Sequence, residues 1–90
     1  MLLNTLFKLG KLVMTQGAIN KISIDDMQIG LMKHSMGDWG DMPEEDKIQN
    51  NKSLEWGDRL MSAYKSGETK FWIITEADRS VTTILLPEEY

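Results

Sequence analysis

From residue 59 to residue 86 the chain alternates, and that pattern constrains its fold more than any other feature. In the run 59–65, Leu60, Ser62 and Tyr64 fall on one face, with Met61 and Ala63 on the other. In the run 70–76, Phe71, Ile73 and Thr75 alternate with Trp72 and Ile74. In the run 80–86, Val81, Thr83 and Leu85 alternate with Thr82, Ile84 and Leu86. A period of two is the signature of a strand, and β-branched and aromatic residues strengthen it. Ser66-Gly67-Glu68-Thr69 and Ala77-Asp78-Arg79 are short turns, so the three runs predict an antiparallel meander. Pro87 ends the last strand. Both faces are apolar, so one is expected to meet helices and the other to be partly covered or to form an interface.

The rest of the chain supplies the cover. Ninety residues make one domain, 1–90. Residues 9–15 hold Leu12, Val13 and Met14 and read as a short strand, and the Thr15 hydroxyl can cap a helix starting after it. Residues 16–22 predict one or two helical turns with Ala18, Ile19 and Ile22 inward. Ser23-Ile24-Asp25-Asp26 has capping-box spacing with Asp in place of Glu. Ile24, Met27, Leu31 and His34 then recur at helical spacing, and Gly37 stands where a helix ends, which predicts a helix over 23–36. Gly37-Asp38-Trp39-Gly40-Asp41 reads as a tight loop. Pro43 opens a further helix, whose Glu44, Glu45 and Asp46 suit its positive end, running to about residue 54. Only Ile48 and Leu54 are clear anchors in it. The expected fold is α+β: an N-terminal short strand and two to three helices packed on a C-terminal three-stranded antiparallel meander.

Charge narrows the partners. The net charge is −4. Residues 1–36 carry +2, residues 37–58 carry −5 and residues 59–90 carry −1. Nucleic-acid binders present a basic footprint, so direct binding to nucleic acid is disfavoured and a basic protein surface is the more natural partner. The chain has no cysteine, which fits a reducing cytoplasm and removes thiol nucleophiles and sulfur-ligated zinc. The N-terminus lacks a basic region and a small-residue cleavage site, which argues against a signal peptide. No apolar run is long enough to span a bilayer. No phosphate-binding loop, nucleophile elbow or metalloprotease motif is present, and no cofactor is implied.

At Gly37-Asp38-Trp39-Gly40, Ser62-Ala63-Tyr64, Trp72-Ile73-Ile74-Thr75-Glu76, Asp78-Arg79-Ser80 and Thr82-Thr83 the chain resembles a family of small bacterial plasmid-related proteins. The likeness runs from Leu9 to Tyr90 and implies no catalytic roles. It implies a setting of plasmids, integrated elements and phage-like DNA. Small proteins of such elements are often anti-defence factors, of anti-CRISPR or anti-restriction type.

Four constellations carry candidate chemistry. His34 precedes Asp38 by four residues and Asp41 by seven, a spacing that allows a metal or an acid/base pair; the plainer reading is a helix-terminal His bonded to a loop carboxylate or carbonyl. Asp38-Trp39 could wall a ligand pocket, or Asp38 could make an Asx-turn while Trp39 plugs the core. Glu76, Asp78 and Arg79 could bind a phosphate, or form a charged hairpin tip; Arg59 could pair with Glu76 across two strands. The stretch 38–46 holds five carboxylates and no Lys or Arg, suiting either a basic groove or a solvated helix start. Seven Met residues suit an adaptable binding surface or a small core.

Together these lead to an acidic, non-enzymatic protein-binding module from a mobile element. Its partner would be a CRISPR or restriction nuclease complex, contacted through Asp38, Trp39, Asp41, Glu44, Glu45 and Asp46. The alternative is a small ligand-binding or metal-dependent catalytic domain using His34, Asp38 and Glu76, with Arg59, Asp78 and Arg79 beside them. A third reading is a homodimer through a sheet edge.

Overall fold

In a computed structural model that describes residues 5–90, the C-terminal runs pair as the alternation requires. Residues 1–4, part of the segment read for a leader, lie outside the described residues. Strands β2 (Leu60–Ser66), β3 (Thr69–Thr75) and β4 (Val81–Leu85) form the antiparallel meander. Tyr64 lies opposite Phe71, Ser62 opposite Ile73 and Leu60 opposite Thr75, while Ile73 faces Ile84 and Thr75 faces Thr82. This register gathers Leu60, Phe71, Ile73, Ile84 and Leu86 on one face, all buried.

The sheet has a fourth strand. Strand β1 (Lys11–Met14) pairs parallel with β4, giving the order β1-β4-β3-β2. The fold is α+β, and its sheet is mixed instead of a purely antiparallel meander. Gly10 makes the junction feasible. Its φ is +66°, and a Cβ there would stand 2.4 Å from the Ser80 carbonyl. Without one, Lys11 N donates to Ser80 O at 2.8 Å and the parallel ladder starts.

Helices α1 (Gln16–Lys21), α2 (Ile24–Ser35) and α3 (Glu44–Trp56) come after β1. Thr15 caps α1 by accepting from Ala18 N at 3.2 Å. Ala18, Ile22 and Met27 meet the inward sheet face in one core cluster. Burying each large apolar side chain there contributes about 1.5–3 kcal/mol. Ile19 and Ile24, expected inward, are 53% and 72% exposed. The six residues of α1 bring only Ala18 inward, and Ile24 is the first residue of α2, ahead of the buried stripe Met27, Gly30 and His34.

The cap of α2 differs from a reciprocal box. Ser23 Oγ accepts from Asp26 N at 3.1 Å. The Asp26 carboxylate turns instead to Ser66, whose hydroxyl donates to it at 2.5 Å and accepts from Ser23 N at 3.3 Å. The shorter Asp side chain is completed by a hydroxyl from the β2–β3 turn.

Helix α3 is held by polar contacts. Its buried residues are Asn50 and Ser53, while Ile48, expected as an anchor, is 50% exposed. The Asn50 carboxamide donates to Met61 O at 2.7 Å and accepts from Met61 N at 3.3 Å. It thereby satisfies the outer edge of β2. The loop before α3 continues this cover: Ala63 N donates to Trp39 O at 3.1 Å and Asp41 N donates to Ala63 O at 2.8 Å. Gly40 passes so close that a Cβ would lie 2.1 Å from Ala63 O, and its φ is +74°. The other sheet face carries Trp72 and Ile74, with the Tyr90 ring edge-on to Trp72 at 5.6 Å. No helix among the described residues is long and apolar enough to cross a membrane.

Candidate functional site

His34 is fully buried, at the centre of a hydroxyl network drawn from three strands. Its Nδ1 meets Ser62 Oγ, and its Nε2 meets Thr75 Oγ1 at 2.9 Å. Thr75 Oγ1 meets Thr82 Oγ1 at 2.7 Å, and Thr82 Oγ1 donates to Leu9 O at 2.6 Å. The last step fixes the direction of all the others. A carbonyl only accepts, so Thr82 spends its proton on Leu9 and must accept from Thr75. Thr75 has then spent its proton and must accept from His34 Nε2–H. Nδ1 is left as an acceptor for the Ser62 hydroxyl. His34 is therefore the neutral Nε2–H tautomer, with every polar atom satisfied.

Burial, helped by the nearby Arg79 charge, depresses the His34 pKa to about 4. Aromatic rings complete the enclosure. Phe7 stands edge-on to the imidazole at 5.3 Å and Trp39 at 5.7 Å, while Phe7 and Trp39 stack at 6.3 Å. Ser62 beside His34 has the composition of a nucleophile–base pair, yet both are fully buried and the Ser62 proton is already given to Nδ1. As folded, the pair organises the core and cannot meet a substrate.

The other candidate residues go elsewhere. His34 is bonded to strand hydroxyls, not to Asp38, Asp41 or a loop carbonyl. Asp38 Oδ1 accepts from Gly40 N at 3.3 Å, an Asx-turn. Trp39 is buried at 3% exposure, and its Nε1 donates to Asn51 Oδ1 at 3.0 Å. It is a core residue and drops out of any contact surface. Arg59 Nε lies 3.6 Å from Glu76 Oε1, the cross-strand pair the register allows. Arg59 also donates to Tyr90 Oη at 2.7 Å.

Arg79 is engaged in structure through both terminal nitrogens. Its guanidinium donates to the carbonyls of Asp58, Glu76, Ala77 and Ser53, at 2.6 to 3.3 Å. It also lies 5.7 Å from the centre of the Phe7 ring. Asp78 accepts from Ser80 N at 3.0 Å and Ser80 Oγ at 2.5 Å. The hairpin tip is thus a local hydrogen-bonded turn, with Arg79 fastening it to the end of α3.

Neither of two clefts among the described residues unites these groups. One cleft of about 250 Å³ is lined by α2, β2 and the Gly40-Asp41 loop, and another of about 270 Å³ by α2 and the N-terminal segment. None of His34, Asp38, Arg59, Glu76, Asp78 and Arg79 lines either one. Among the described residues, no group of three His, Asp or Glu side chains is gathered closely enough to hold a metal ion.

The acidic ridge lies at the surface as a whole. Asp38, Asp41, Glu44, Glu45 and Asp46 are all exposed along the loop and the first turn of α3. Among the described residues none of them has a Lys or Arg partner; the ion pair found there is Arg59–Glu76.

Ser62, Thr75, Thr82 and Phe7 escaped the sequence reading as partners of His34. A signal for three of them was there. Each hydroxyl occupies an inward position of the alternation, where a polar group needs a buried partner.

No protein-family model, curated protein or solved structure matches the chain.

Proposed function

We propose that the protein is a non-enzymatic protein-binding module that docks its acidic ridge on a basic surface. The observation that carries this reading is the ridge itself. Five carboxylates are exposed without cationic partners among the described residues, while His34 and Ser62 are fully buried and Arg79 is bonded to backbone carbonyls. Unpaired surface charge of one sign steers and orients an oppositely charged partner. The partner class we favour is a bacterial nucleic-acid-targeting defence complex of CRISPR or restriction type, whose substrate groove is basic because it holds phosphates. The protein would then act in the cytoplasm as an inhibitor or regulator encoded by a mobile element.

The test is phage plating on bacteria carrying an active CRISPR or restriction system, with and without the protein. The wild type should restore plating. A variant carrying Asp41→Asn, Glu44→Gln, Glu45→Gln and Asp46→Asn should not, while folding with the same circular dichroism. Unchanged plating with the wild type, or full activity of the neutralised variant, would overturn the proposal.

A further inference from the structure

The two edges of the sheet are treated differently. The β2 edge is covered at Met61 by Asn50 and at Ala63 by Trp39 and Asp41. The β1 edge is open: no strand among the described residues pairs with its outer side. Lys11 N donates to Ser80 O and Thr15 N donates to Ile84 O, at 2.8 and 3.0 Å. The alternate residues Leu12 and Met14 therefore turn their N–H and C=O groups away from β4. The side chains along this edge are apolar and accessible, with Leu12 42%, Val13 38% and Met14 40% exposed. Such an edge is a template for another strand.

We infer that this edge binds a second copy of the same chain, antiparallel, about a two-fold axis through Val13. Two features select that occupant. The first is register. Only outward-facing residues can exchange backbone bonds, and an axis through Val13 is the placement that uses both of them, pairing Leu12 with Met14 of the second copy and Met14 with its Leu12. Val13 then faces Val13, and all three apolar residues meet apolar residues. Lys11 falls opposite Thr15, so no like charges are opposed.

The second is charge. The carboxylate of Glu89 sits at the exit end of β1, accepting from Thr15 Oγ1 at 2.5 Å and Gly17 N at 2.9 Å. Lys11 stands at the entry end. An antiparallel pairing brings each Lys11 to the end of the other strand, where that copy's Glu89 lies. The edge is complementary to itself in backbone, side chain and charge. The pairing joins two sheets into one of eight strands and is independent of the acidic ridge.

Sedimentation velocity across a concentration series tests this. The contact is small, so the wild type should pass from monomer to dimer as concentration rises from about 5 μM to about 1 mM. Val13→Lys places two ammonium groups on the axis and should raise the dissociation constant about 100-fold or more, leaving a monomer. Leu12→Pro removes an outward donor while sparing every bond to β4, and should weaken association similarly. Tryptophan fluorescence identifies folded variants. Should both variants unfold, amide exchange of the wild type decides: Leu12 and Met14 should gain protection with concentration. A monomer at every concentration, a dimer that folded Val13→Lys leaves intact, or Leu12 and Met14 amides that exchange equally fast throughout would each overturn the inference.

Discussion

Mild acid should weaken this protein through one residue. His34 is neutral in the fold with a pKa of about 4, whereas an unfolded chain gives histidine its ordinary value of about 6.5. Below about pH 6.5 the unfolded chain takes up a proton that the folded chain refuses. The unfolded state then binds more protons, so stability falls as pH falls and levels off near pH 4. The full gap corresponds to roughly 3 kcal/mol, and the interval from about pH 7 to about pH 5 accounts for roughly 2 kcal/mol of it. Against a stability of about 5–10 kcal/mol for a domain of this size, that is a large loss.

Three carboxyls also lie below their usual range, mainly through hydroxyl hydrogen bonds: Asp26 from Ser66, Asp78 from Ser80 and Glu89 from Thr15. Their contribution has the same sign. It is lost mostly below about pH 4.5, outside the interval that isolates His34. Urea unfolding followed by tryptophan fluorescence at the two pH values measures the loss. The chain has a single histidine, so its one C2–H proton resonance reads the folded pKa without assignment. A midpoint near pH 6.5, or equal stability at pH 7 and pH 5, would refute the network as described.

Other perturbations test the packing around it. Thr75→Val keeps the shape but leaves His34 Nε2–H and Thr82 without their partner; a cost of about 1–3 kcal/mol by chemical denaturation is expected. Asn50→Ala exposes the Met61 edge of β2 and should cost a similar ~1–3 kcal/mol in the same assay. Gly40→Ala drives a methyl group into Ala63 O and should lower stability by at least ~2 kcal/mol, or prevent folding, as thermal melts would show. An unchanged melting temperature in that variant would mean the loop does not seal the β2 edge.

The sequence spoke clearly where a period was long and repeated. The meander, its turns and its register come from alternation over 59–86, and even the Arg59–Glu76 pair was within reach of that register. It spoke less clearly where the deciding contact was distant. Nothing local distinguishes a β1 that stands apart from one that pairs with β4, seventy residues later; only the Gly10 approach to Ser80 settles it. Spacing along a helix reveals near partners only, so from His34 it points to Asp38 and Asp41. The actual partners of His34 are hydroxyls on three strands. Helix α3 misled in the same manner: Ile48 looked like an anchor, but Asn50 and Ser53 are the residues that bind it to the rest.

The sealed β2 edge also sets a limit on growth. A sheet with two open edges can add copies without end, which is the route to fibres. Here the Asn50 carboxamide occupies the far edge like the terminal rung of a ladder. Edge-to-edge association of this chain is therefore favoured at β1, and a pair so formed has Met61 and Ala63 of β2 already bonded at both ends. Removing that carboxamide together with the Trp39–Asp41 cover would convert a self-limiting contact into one that can propagate.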